Sequence, residues 1–152
     1  MKIEGVFTVA VPRANVWRYI TDPEVMGLCI PGCDSIEVTG PNTYLASVRI
    51  KLGPIKTKFN LEVEVIEEVE PDFVISRTRG EEGSRASMVS ADNVLRLSDA
   101  DSGGTEIYYS SEVAIVGRLG KYGHGVMKKI AKKLCDKFAE DFRKRVENGE
   151  TV

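Results

Sequence analysis

The feature that most narrows the folding options is one long amphipathic segment near the C-terminus. Tyr122, Val126, Met127, Ile130, Leu134, Phe138 and Phe142 recur at three- and four-residue steps, and Lys128, Lys129, Lys132, Lys133 and Lys137 fill the opposite side. A helix running to about Val146 at 1.5 Å per residue is roughly 35 Å long, about the width of a small domain. Four glycines (Gly117, Gly120, Gly123 and Gly125) lead into it, and nearly everything before it reads as strand. A helix with an apolar stripe must bury that stripe, and here a sheet is what the rest of the chain offers. Laid across a sheet through permissive backbone, such a helix builds a closable apolar pocket.

Alternation along the chain supplies the sheet. Ile3, Gly5, Phe7, Val9 and Val11 form a half-buried first strand. Pro12 opens a short helix to Thr21 with Val16, Trp17 and Ile20 inward. Asp22-Pro23-Glu24 starts a second, because Asp22 suits the N-cap and Pro23 the first helical position; Pro31-Gly32 ends it. A strand at Ile36–Val38 follows, then Tyr44, Ala46, Val48, Ile50 and Leu52 facing in. After a turn at Gly53-Pro54, Ile55, Thr57, Phe59, Leu61, Val63 and Val65 give the cleanest period-two run. Further strands are expected at Phe73–Thr78, Arg85–Leu97 and Thr105–Val116, with Gly80–Gly83 as a loop and Ile107, Tyr109, Val113 and Ile115 inward. The order β-α-α-β-β-β-β-β-β-α, joined by short turns, predicts an α+β fold with an antiparallel sheet of about seven strands. One domain over residues 1–147, with a polar tail at 148–152, is expected.

Charge and cysteine content set the compartment and the partners. Between residues 118 and 147 ten Lys and Arg stand against four acids, so the remainder of a chain of net charge −2 is acidic. The basic helix face is read as a solvated surface, or as a contact for anionic lipid or an acidic partner. It carries no interleaved aromatics for stacking bases, so no nucleic acid is expected. There is no run long enough to span a bilayer and no secretory leader, which predicts a cytoplasmic protein. Cys29 and Cys33 are spaced C-x3-C and His124 is remote, so no metal site is expected; Cys135 lies on the apolar side of the helix.

No catalytic constellation emerges from the spacing. The glycine-rich lead-in lacks the G-K-[ST] ending of a phosphate loop and is read as hinge or close-approach backbone. Asp92 and Asn93 interrupt a strand of small residues (Ala86 to Ala91), so one of them must point inward, as a bulge or as a polar anchor. The large inward residues with small ones on the last strands leave either an ordinary packed core or unfilled space. An enzyme reading would have to use His124, Tyr109 and Asp92.

Several strings together resemble the CoxG family of carbon monoxide dehydrogenase subunits. They are Val16-Trp17, Asp22-Pro23-Glu24-Val25-Met26 and Ile30-Pro31-Gly32-Cys33, then Tyr44-Leu45-Ala46 and Lys51-Leu52-Gly53-Pro54-Ile55, and finally Gly103-Gly104-Thr105 and Val116-Gly117-Arg118-Leu119-Gly120. The resemblance runs in order from about residue 1 to 142. It implies the START-like (SRPBCC, helix-grip) fold, a curved sheet wrapped round the C-terminal helix over a deep apolar cavity. It also implies a non-catalytic accessory of a molybdenum-containing carbon monoxide dehydrogenase or related hydroxylase, without a cofactor of its own, binding a quinone- or lipid-like molecule. On that reading Trp17, Met26 and Ile30, the strand residues Phe59, Met88 and Tyr109, and Tyr122, Met127, Ile130 and Leu134 of the last helix line the cavity. Pro31, Gly32 and Cys33 on one side, with Gly117, Gly120, Gly123 and His124 on the other, form its mouth. Many members carry a further extension toward the membrane. This sequence ends at Val152, leaving Lys128, Lys129, Lys132 and Lys133 as the expected peripheral contact at the inner membrane face. The alternatives are a cyclase or aromatase of the same fold, or a chaperone-like adaptor using its basic helix.

Overall fold

The computed structural model describes residues 1–53, 55–83, 86–101 and 103–149, with residue 52 described by its backbone alone. The expected turn at Pro54, the strand start at Arg85 and the tail beyond Gly149 lie outside the described residues. The elements run β1 (Lys2–Val9), α1 (Arg13–Ile20), α2 (Pro23–Cys29), β2 (Cys33–Gly40), β3 (Thr43–Leu52), β4 (Ile55–Val69), β5 (Phe73–Glu82), β6 (Ser87–Asp99), β7 (Thr105–Gly117) and α3 (Gly123–Glu147), with a 3₁₀ turn at Arg118–Tyr122 before α3. The strands form one antiparallel sheet in the order β1-β7-β6-β5-β4-β3-β2. The sheet curves round α3, and register shifts between Cys33 and Ser35, Val38 and Gly40, and Val65 and Glu67 bend its β2–β5 side. This is the α+β helix-grip architecture expected from the sequence.

Local chemistry explains most boundaries. The Glu24 amide donates to Asp22 Oδ1 at 3.0 Å, so α2 starts where the D-P-E string predicts. β4 alternates as read, with Ile55, Phe59, Leu61, Val63 and Val65 toward the core side and lysines and glutamates outward. β5 is longer than expected. Gly80 does not open a loop, because β4 crosses so closely that a side chain there would fall on Leu61 Cδ2 and the Asn60 carbonyl.

The core is unevenly distributed. A dense cluster of Val9, Val16, Trp17, Val25, Cys29, Ile107 and others clamps α1, α2 and the C-terminal end of α3 to the sheet. In it Phe142 is 1% and Val146 2% exposed, and Phe138 stacks on Phe142 with ring centroids 5.9 Å apart. The Ala10 amide donates to Glu147 Oε2 at 2.8 Å and ties down the same end of the helix. At the other end a small cluster of Ile55, Phe59 and Leu119 lies beneath Met127 and Ile130, which are only partly buried. Val126, expected on the apolar face, is turned to solvent.

Candidate functional site

α3 is seated more densely at its C-terminal end than in its N-terminal half, where Met127 and Ile130 rest on a small cluster. Among the described residues two chambers stand out, one beside α2 and one under α3. The larger, about 510 Å³, lies between α2 and strands β3 to β6, bounded by Met26 and Ile30 on the helical side and by Ala46, Leu61, Val63 and Leu95 on the sheet. The smaller, about 160 Å³, lies under α3 and among the described residues is lined by apolar side chains alone, including Val48, Phe59, Leu119, Met127, Ile130 and Leu134. Leu61 lines both. Of the ten residues expected to line a cavity, Met26 and Ile30 therefore meet the first chamber, and Phe59, Met127, Ile130 and Leu134 the second.

The other four lie elsewhere. Tyr122 is partly buried beside the Ile55–Phe59–Leu119 cluster, with Lys121 Nζ 5.3 Å above its ring. Trp17, 5% exposed, is part of the dense cluster and borders neither chamber. Met88 faces out: it is 56% exposed and sits opposite Val116, since its neighbour Ser87 takes the inward position. Tyr109 is inward, 6.3 Å from Phe7, in space that Gly5 leaves by lacking a side chain. Burial pushes its phenol up, and Lys132 on α3 partly opposes that.

The expected mouth divides in the same way. Gly120, Gly123 and His124 border a shallow depression of about 360 Å³ that shares Met127 with the smaller chamber. Gly117 is no hinge. With φ 100° it packs on Ala86, whose carbonyl accepts the Arg118 amide at 2.7 Å, so close approach is what it provides. Gly32 is also pinned, with φ 80° and its carbonyl accepting the Arg49 amide at 2.8 Å. Cys33 and its neighbours lie over a separate outer depression between α2 and β2, where the thiol donates to the Ser35 carbonyl at 3.4 Å. Desolvation pushes that thiol up.

One group was not legible as a site element, and a second was legible only as a choice between Asp92 and Asn93. Glu82, within the expected Gly80–Gly83 loop, is 3% exposed. Burial pushes its carboxyl up, but hydrogen bonds from Arg118 (2.5 Å), Ser87 and Thr57 and the Arg118 charge outweigh this and hold it at about 2. Ser87 Oγ also accepts the Leu119 amide at 2.9 Å, so this cluster fixes the 3₁₀ turn that floors the smaller chamber. The second group is polar. Asn93, rather than Asp92, points inward, donating to Thr78 Oγ1 at 3.0 Å and Ser76 Oγ at 3.3 Å, with Ser111 donating to its Oδ1. A strand reading Val74-x-Ser76-x-Thr78 on its inner face was the available signal.

The sequence model of CoxG, a carbon monoxide dehydrogenase subunit, matches residues 5–147. The chain belongs to the CoxG family. No curated protein matches it. Among solved structures, this CoxG-family chain is similar to a conserved protein from Geobacillus kaustophilus, with TM-score 0.91 and 24% identity over 99% of this chain and 98% of that one. A START superfamily protein from Mycobacterium smegmatis matches with TM-score 0.78 and 13% identity over 98% and 99% of the two chains. The Zhui aromatase/cyclase of a Streptomyces species matches with TM-score 0.64 and 12% identity over 98% and 92%. These likenesses establish the START-like fold of the CoxG chain.

The three residues nominated for catalysis do not converge. Asp92 is on the outer face, bonded to Arg77 at 3.0 Å; Tyr109 is on the inner face; His124 is exposed at the start of α3. On the outer side of α3, Lys128, Lys129 and Lys133 are exposed and form no ion pair among the described residues, while Lys132 meets Asp136 at 3.1 Å. Among the described residues no group of His, Cys, Asp and Glu could hold a metal ion, and no helix is long and apolar enough to cross a membrane.

Proposed function

We propose that this protein binds an apolar small molecule, quinone- or lipid-like, in the paired chambers without transforming it, as an accessory to a molybdenum-containing carbon monoxide dehydrogenase or a related hydroxylase. The observation that carries the reading is the smaller chamber, walled among the described residues only by apolar side chains under a helix seated more densely at one end. Protein interiors pack to near-crystalline density, so an apolar void beside unfilled space is a standing loss of contacts. A ligand that fills it regains them, at about 25 cal/mol per Å² of apolar surface removed from water. The exposed lysines of α3 supply a contact for an acidic partner or for anionic lipid at the inner membrane face. Native mass spectrometry of the protein purified from its own host, with thermal-shift titration against quinones, tests the reading. A co-purifying apolar molecule or a quinone-dependent rise in melting temperature is expected. Absence of both overturns it.

A further inference from the structure

The larger chamber carries polar chemistry that a pure hydrocarbon site would not need. Ser76, Thr78 and Asn93 line it on adjacent strands, and the register places Ser76 directly opposite Asn93 and Asn93 opposite Ser111. The Asn93 amide nitrogen spends both hydrogens, one on Thr78 Oγ1 and one on Ser76 Oγ, while its oxygen accepts from Ser111. A hydroxyl has one hydrogen to donate, and these two hydroxyls are held as acceptors by the amide. Their own hydrogens find no acceptor among the described residues, and both side chains border the chamber. The wall thus presents two oriented donors. Among the described residues no Lys, Arg or His lines this chamber, and the one charged residue in its lining is Glu68. An anionic head group would be desolvated there without a counter-charge, which is strongly unfavourable.

We propose that Ser76 and Thr78 form a head-group site for a neutral hydrogen-bond acceptor of the carbonyl class, with Asn93 as the positioning residue and the ligand's apolar tail passing Leu61 into the smaller chamber. This rests on the reading that the chambers hold an apolar molecule, and it adds which end of that molecule goes where. A site built to donate hydrogen bonds discriminates against an analogue that cannot accept them, because its own polar groups are then left unpaired.

The test uses the full chain and three matched probes, methyl heptyl ketone, nonane and nonanoate, with dissociation constants from thermal-shift titrations at neutral pH. The ketone-to-nonane affinity ratio is expected to be about tenfold higher in the unaltered protein than in the Ser76→Ala, Thr78→Val double variant, the equivalent of one to two net hydrogen bonds, and nonanoate is expected to bind most weakly. In that double variant nonane, which no longer leaves two hydroxyls unpaired, should bind at least as tightly as before, and the ketone should lose affinity. Asn93→Asp, whose carboxylate accepts both hydroxyl hydrogens, should lower the same ratio with both hydroxyls still in place. A ketone-to-nonane ratio that is the same in the unaltered protein, the double variant and Asn93→Asp overturns the head-group site and leaves the apolar-binding reading standing. A ratio undiminished in the double variant alone also overturns it. Binding of none of the three probes overturns both.

Discussion

Replacing Glu82 by Gln isolates the contact that holds the 3₁₀ turn beneath α3. The folded protein keeps this carboxyl at about 2 against an ordinary 4.5, and at about 1.4 kcal/mol per pK unit the ionised form contributes up to ~3 kcal/mol. Arg118 is partly exposed and can turn to water when its partner goes, so the loss in Glu82→Gln should be smaller, about 2 kcal/mol near pH 7. The sign follows from the depressed value. The contribution is complete above the unfolded value and disappears as pH falls through the folded one. Urea unfolding of both proteins from about pH 7 down to about pH 3 should therefore show a constant gap to about pH 5, which then narrows by up to ~1.4 kcal/mol per pH unit. In the same variant the Leu119 amide, bonded to Ser87 Oγ, should exchange its hydrogen faster. A gap that is absent at neutral pH, or that stays constant or widens on acidification, refutes the reasoning.

Phe142→Ala should lower stability by about 3–5 kcal/mol in urea unfolding, whereas Met88→Ala on the outer face should change it by less than about 0.5 kcal/mol. Gly32→Ala should destabilise strongly, because a side chain there meets the Arg49 carbonyl at positive φ. Gly125→Ala, with open space around it, should raise the melting temperature through about 0.5–1 kcal/mol of helix propensity. Exchanging Lys128, Lys129 and Lys133 for Glu should abolish salt-sensitive co-sedimentation with anionic vesicles while leaving ketone affinity unchanged; retention of vesicle binding would remove the basic face from the membrane reading.

The sheet was legible wherever side-chain polarity contrasts. Apart from Thr57 and Asn60, β4 alternates apolar with charged residues for its first ten positions, so its inner face follows directly from the sequence. Phase was lost on β6, where the run Ala86 to Ala91 offers little contrast. There Met88 is set outward by pairing with Val116 and by Ser87 turning in to hold Leu119. Gly80 was misread as a loop residue and Glu82 went unread for a related reason: their roles depend on β4 and Arg118, which are distant in sequence. The cavity lining from α2 and α3 was readable as apolar stripes. The hydroxyl pair was signalled only by polar residues at alternate positions of β5, and nothing in the sequence says what faces them until the sheet is assembled.

The uneven seating of α3 makes the helix a lever. Phe142 is the fulcrum, and Met127 lies fifteen residues away, about 22 Å along the axis. A tilt of about ten degrees at the buried end would carry Met127 through about 4 Å, comparable to the width of a single polymethylene chain. The same rotation shifts Phe138 and Val146, one turn either side of the fulcrum, by only about 1 Å, so a slender molecule passing this end of the helix asks little of the dense cluster.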